Sequence, residues 1–283
     1  MEFFNREKEI KDLTNILSFE PNLIYFIYGP INSGKTALIN EIIKKLPNDY
    51  IVFYIDLRAH FISRYDDFVR VLFKAHKTDI DDVKEFLRII VPKLPNEIFG
   101  IPIPKDLLNE LFKDKKSDDV FEYIIDVFEE LQLMGKKPIL IIDVLETFGF
   151  QNLCRFAPKN LQVIGDLKIN GYLIYELFNF FISLTKHRHL AHILCLSSDS
   201  LFIDKVYNEA MLQDRCKYYL VDDFDYETTK EFLKRHGFND EETETVWEYF
   251  GGKPIKLIDI IQEKALGRDV KEYCKKSLIF KVR

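Results

Sequence analysis

The sequence predicts an α/β fold: a three-layer sandwich in which helices cover both faces of a parallel sheet, followed by a small C-terminal helical lid. Three observations predict it. Short apolar runs without polar alternation recur along the chain, as expected of strands buried on both faces. Amphipathic helical stretches lie between them. The first apolar run passes through a glycine-containing loop directly into a helix.

The 283 residues, 47% of them hydrophobic, suffice for one large domain and a small one. With 30% charged residues, 14 tyrosines and 25 phenylalanines, the composition leans toward a thermophilic source. A net charge of −6 argues against broad adhesion to nucleic acid, which needs clustered cations. One basic patch, Lys271, Lys275, Lys276, Lys281 and Arg283, is opposed by Glu272 alone; a solvated helix end outweighs a nucleic-acid contact there. The four cysteines, Cys154, Cys195, Cys216 and Cys274, lack any paired spacing, which excludes a zinc ribbon and a disulfide framework. No apolar run reaches the ~18 residues of a membrane span, and Met1 to Arg6 carries no leader pattern. The expectation is a cytoplasmic protein with reduced thiols and no membrane contact.

The elements follow in order. Residues 5–17 place apolar side chains at 10, 13, 16 and 17, with Asn5 as the expected N-cap. Leu23 to Tyr28 is a buried strand, and Thr36 to Leu46 a helix ended by Pro47-Asn48-Asp49. Tyr50 to Leu57 is the next strand. A helical insertion at about 65–135 follows, with helices expected at 65–76, 80–91, 105–113 and 118–134. Pro138 to Asp143 closes a run of four aliphatics on a carboxylate. Residues 150–170 read as loop, 171–188 as helix, 191–196 as strand, 200–211 as helix and 217–221 as a short strand. A helical appendage spans 226–283, broken at Gly251-Gly252-Lys253-Pro254. The resulting organisation is a core over 1–222 and a lid over 223–283.

Gly29-Pro30-Ile31-Asn32-Ser33-Gly34-Lys35-Thr36 fits GxxxxGK[ST], and Ala37 continues it into the helix. Glycines at these positions let main-chain N–H groups curl around phosphates while the helix directs its positive end at them. Lys35 neutralises the β and γ phosphates in such a loop, and the Thr36 hydroxyl holds Mg2+. Residues 29–37 are therefore the expected nucleotide-binding residues. Asp143, at a strand end, suits the second magnesium-orienting carboxylate. The water-activating glutamate expected next to it is replaced by Val144, leaving Glu146 as the candidate. ATP or ADP with Mg2+ is the expected cofactor, and binding is better supported than turnover.

Phe3-Phe4-Asn5-Arg6-Glu7-Lys8-Glu9-Ile10 resembles the opening of archaeal AAA+-type ATPases of the STAND signalling group. The loop, the strand ending in Asp143, Ser197-Ser198 and Gly251-Gly252-Lys253-Pro254 occur in that family's order, so the resemblance covers roughly residues 3–258. It implies a five-stranded P-loop core of the ASCE type with a helical lid. It also implies that Asn5 and Arg6 border the adenine, that Ser197 or Ser198 is the polar sensor, and that Pro254 contacts base or ribose. Arg215 stands where relatives present an arginine finger, although an ordinary surface arginine is favoured. Many family members continue into a winged-helix domain; 29 residues follow Pro254 here, and the expectation is that they do not form one.

The function expected is an ATP-dependent molecular switch with slow hydrolysis, with a protein partner or self-association through the insertion or lid. A nucleotide-binding scaffold without productive turnover is the alternative raised by Val144. A small-molecule kinase using Asp56 is a weaker one. His187, His189 and His192 read as structural histidines rather than metal ligands, and Asp225 as a helix cap rather than part of a calcium loop.

Overall fold

The computed structural model describes residues 3–56, 75–77, 117–143, 161–164, 167–170, 172–198, 207–208 and 212–279. Its packing separates two compact units: residues 12–28 with 42–219, and residues 1–11 with 29–41 and 220–283.

The first unit holds the sheet. Its strands are β1 (Ile24–Tyr28), β2 (Tyr50–Asp56), β3 (Ala75–Lys77), β4 (Lys137–Asp143), β7 (His192–Ser197) and β8 (Cys216–Leu220), in the order β3-β2-β4-β7-β1-β8. Neighbours β2, β4, β7 and β1 run parallel, while β3 adds an antiparallel edge beyond the five strands expected. The apolar runs made this placement legible. Ile24, Phe26, Ile51, Phe53, Ile55, Leu140, Ile142, Ile193 and Cys195 enter one core with α3 (Ser117–Leu133) and α4 (Tyr172–Ile182). The alternate residues Val52, Ile139, Ile141, Leu194 and Leu196 are buried too, so both faces of the sheet are covered. On α4 and the turn after it, Phe180, Phe181 and Leu184 are buried and Leu177 packs against the same cluster.

Two readings change. Part of the stretch expected as loop forms a hairpin of β5 (Leu161–Ile164) and β6 (Leu167–Asn170). The α-helix expected to run to 188 stops at Ile182 and widens into a π-helical turn, Ser183–His187, in which the buried Thr185 hydroxyl donates back to Phe181 O at 2.8 Å. The helix expected at 65–76 is overturned at its end, where Ala75–Lys77 forms β3 against β2; its remainder, the helices expected at 80–91 and 105–113, and most of 200–211 lie outside the described residues.

Two of the three histidines between 187 and 192 bond to main-chain carbonyls. His189 Nδ1 donates to Pro21 O at 2.6 Å and His192 Nε2 to Phe19 O at 3.2 Å, tying β7 to the connection between α1 (Glu7–Ser18) and β1. No group of metal-ligating side chains occurs among the described residues. Burial pushes the His192 imidazole down to about 4. Between about pH 6.5 and 4 the unfolded chain therefore binds a proton that the folded chain does not, so stability rises with pH across this window. Denaturation curves should show the unfolding free energy falling as pH drops from 6.5 to 4, and His192→Gln should flatten that slope.

In the second unit, α5 (Tyr226–Arg235), α6 (Asp240–Phe250), α7 (Pro254–Ala265) and α8 (Val270–Ile279) enclose Phe232, Leu233, Phe238, Val246, Leu257, Ile260, Val270 and Cys274. Asp225 caps α5, accepting from Thr228 N at 2.8 Å. Asn239 and Glu242 form a capping box on α6, and Pro254 opens α7. Asn5 does not cap α1. The first helical bond runs from Ile10 N to Arg6 O, and both Asn5 and Arg6 have positive φ, 58° and 78°. The Asn5 side chain is occupied elsewhere: Oδ1 accepts from Arg6 N and Nδ2 donates to Thr228 Oγ1 at 2.9 Å. Beside it, Phe4 packs between Phe232 and Phe224, with the Arg235 guanidinium 4.7 Å over its ring.

Candidate nucleotide-binding site

Gly29 leaves β1, and α2 (Lys35–Lys45) receives the chain six residues later. The loop between them is closed by Ser33 N donating to Pro30 O at 3.1 Å, and Asn32 takes a left-handed φ of 62°. Gly29 is dictated by space: a Cβ there would lie 2.1 Å from Val221 O. Lys35 is 7% exposed, and its ammonium folds over its own loop, donating to Gly29 O at 3.0 Å and Pro30 O at 2.8 Å. Ser33 is fully buried and its hydroxyl has no hydrogen-bond partner among the described residues. A buried hydroxyl left unmatched costs about 1–3 kcal/mol. An unmatched hydroxyl, a lysine and a helix N-terminus within one short loop are the donors that an anion would take.

Arg6 and Asp223 belong to the same unit. The Arg6 guanidinium donates from Nη2 to Ser33 O at 3.1 Å and to Asp222 O, and from Nη1 to Glu9 Oε1 at 2.7 Å. Burial pushes the Asp223 carboxyl up, against Lys253, Arg6 and Lys35, which pull it down; its Oδ1 is buried without a hydrogen-bond partner among the described residues. Pro254 is the first residue of α7, and Gly252 O accepts from Phe224 N at 2.9 Å.

In the sheet unit, strand register aligns the remaining candidates. Tyr28 is level with Ser197, Leu196 with Asp143, and Asp143 with Asp56, all at the carboxyl end of the parallel strands. One strand, β7, separates β1 from β4. Asp143 and Ser197 are buried, Ser198 half-buried. Tyr54 was read as one more apolar strand residue, yet its hydroxyl donates to Asp143 Oδ2 at 2.9 Å. Position 54 lies two residues before the strand end and 143 at it, so only the register reveals the pair. Tyr54→Phe removes one donor from a buried carboxylate. The expected loss is about 1–2 kcal/mol of stability in urea denaturation. Arg215 stands at the other end of the sheet, where its carbonyl accepts from Ile24 N at 3.0 Å. Glu146, with Val144, lies outside the described residues.

A parallel sheet with this strand order, and a glycine loop leading from its β1 into a helix, defines a nucleotide-binding protein of the P-loop NTPase class. Residues 3–260 match the model of an ATPase domain predominantly from Archaea, and the chain belongs to that family. It is 62% identical to an uncharacterised ATP-binding protein of Methanocaldococcus jannaschii, over 98% of this chain and 75% of that protein. It is 50% identical to an uncharacterised ATP-binding protein of Pyrococcus abyssi, over 98% and 76%. Among solved structures, the Aeropyrum pernix Orc1 protein in complex with DNA gives a TM-score of 0.48 at 12% identity, covering 98% of this chain and 65% of that one. Cdc6p from Pyrobaculum aerophilum gives 0.48 at 11%, covering 93% and 63%. This chain thus spans a little under two thirds of those two chains. Among the described residues, no helix is long and apolar enough to cross a membrane.

Proposed function

We propose that the chain binds ATP with Mg2+ on residues 29–37 and acts in the cytoplasm as a nucleotide-dependent switch of the STAND type, reset by slow hydrolysis. The observation that carries the reading is the loop itself, where the buried, unmatched Ser33 hydroxyl lies beside a lysine held only two residues away along the chain. The names of the archaeal relatives, as ATP-binding proteins, support ATP as the nucleotide. The polyphosphate would take the loop amides and Lys35, while Thr36 and Asp143 are the residues suited to hold magnesium, which supplies charge neutralisation at the phosphates. Ser197 and Ser198 are the proposed polar sensors, Pro254 a base or ribose contact, and Glu146 the proposed water-activating group.

A second reading is favoured by one residue. Val144 follows Asp143 where the family resemblance implies a glutamate, which supports a nucleotide-binding scaffold without productive turnover. Calorimetry with ATP and Mg2+ tests the site, and phosphate release across a protein concentration series separates the two readings. Sustained release that rises with concentration supports a self-associating ATPase; tight binding without release supports the scaffold. Absence of ATP binding would defeat both.

A further inference from the structure

The sequence resemblance places Arg6 at the adenine, but its guanidinium is committed to the protein. It is 7% exposed, bonded to the Ser33 and Asp222 carbonyls and to Glu9, and lies 4.8 Å from the Phe224 ring centroid. Ser33 sits inside the phosphate loop, whereas Asp222 and Phe224 lead into α5. One side chain thus holds both segments, and all of these residues lie in one compact unit.

We propose that Arg6 is a positioning residue that couples phosphate capture by the loop to the setting of the C-terminal helices, rather than a ligand of the nucleotide. The inference rests on the nucleotide reading above and adds how its occupancy is transmitted. Ser33 C=O and Gly34 N–H are opposite ends of one planar peptide unit. Drawing the Gly34 N–H toward a phosphate oxygen rotates that plane and moves the Ser33 carbonyl against Arg6. The guanidinium is a rigid planar fork, so it passes displacement on to Asp222 rather than absorbing it as a flexible ammonium would. Phe224, stacked under the same guanidinium, carries it toward Phe4 and Phe232 in the helical core.

The test is amide hydrogen exchange on the full chain, with and without ATP and Mg2+. In the native protein ATP should slow exchange at residues 33–38 and also at 226–250. Arg6→Lys keeps the charge but not the fork. It should retain loop protection, with ATP affinity within about tenfold of native, and lose the response at 226–250. Without nucleotide, the same variant should exchange about tenfold faster at both 33–38 and 226–235. A native-like response at 226–250 in Arg6→Lys would overturn the coupling, and complete loss of loop protection would mark Arg6 as a direct ligand instead. If Arg6→Lys does not fold, Glu9→Ala, which leaves Nη1 without its carboxylate acceptor, should weaken the response in the same direction, and an unchanged response would overturn the proposal. Native protein with no loop protection would count against the nucleotide reading, and the nucleotide-free comparison would still decide whether Arg6 holds the two segments.

Discussion

Lys35→Ala is expected to lower ATP affinity at least about 100-fold while leaving the fold intact. Lys35 is nearly buried, and its ammonium bonds to two neutral carbonyls of its own loop, Gly29 O and Pro30 O. A carbonyl offers a partial charge, whereas a polyphosphate offers full ones, so the arriving ligand is the better partner for the ammonium. Hydrogen bonds to charged groups contribute about 1.5–3 kcal/mol each, and losing the contacts to two phosphates removes about 3–4 kcal/mol, more than two decades of affinity. Folding depends little on this side chain, because the loop is also closed by Ser33 N to Pro30 O and by Leu38 N to Gly34 O. Calorimetry gives the affinity and thermal denaturation the fold. Lys35→Arg should also bind poorly, since a planar guanidinium cannot follow the path of the compact ammonium. Unchanged affinity in Lys35→Ala would remove residues 29–37 as the site.

The middle of the sheet was legible because β1, β2, β4 and β7 carry apolar runs of the kind that two-sided burial explains. The glycine loop was legible for a similar reason: spacing alone tells where backbone must approach a ligand. What escaped has a common physical cause. The β5–β6 hairpin alternates polar residues such as Gln162, Lys168 and Asn170, and so lacks the apolar signal, although Gly165-Asp166 between its strands was a usable turn cue. Asn5 satisfied the local rule for a helix cap but was claimed by Thr228, 223 residues away. Tyr54 and Arg6 were each visible as residue types, yet their partners are set by strand register and by main-chain carbonyls. No sequence period encodes either.

Gly252→Ala is expected to destabilise the helical unit by about 4 kcal/mol, at the high end for a single substitution. The reason is a close approach of two backbones rather than a special dihedral. A Cβ at position 252 would stand 1.7 Å from Phe224 O and 2.5 Å from Phe224 C, and neither atom can swing aside as a side chain could. Relief requires moving Phe224, whose N–H bonds Gly252 O at 2.9 Å and whose ring lies against Phe4, Phe232 and the Arg6 guanidinium. The substitution therefore strikes the packing of α5 and the residues that hold the phosphate loop together. Gly237→Ala is the control. Its φ of +79° is strained for alanine, but nothing lies within 4 Å, so its cost should be about 1 kcal/mol. Trp247, the single tryptophan, sits in α6 of this unit, so its fluorescence during denaturant titration reports both variants. Equal losses would show that dihedral strain, not the clash with Phe224, makes glycine necessary in the Gly251-Gly252 break. A large gap would locate the demand in the backbone contact that brings the residues ahead of α5 alongside those that begin α7.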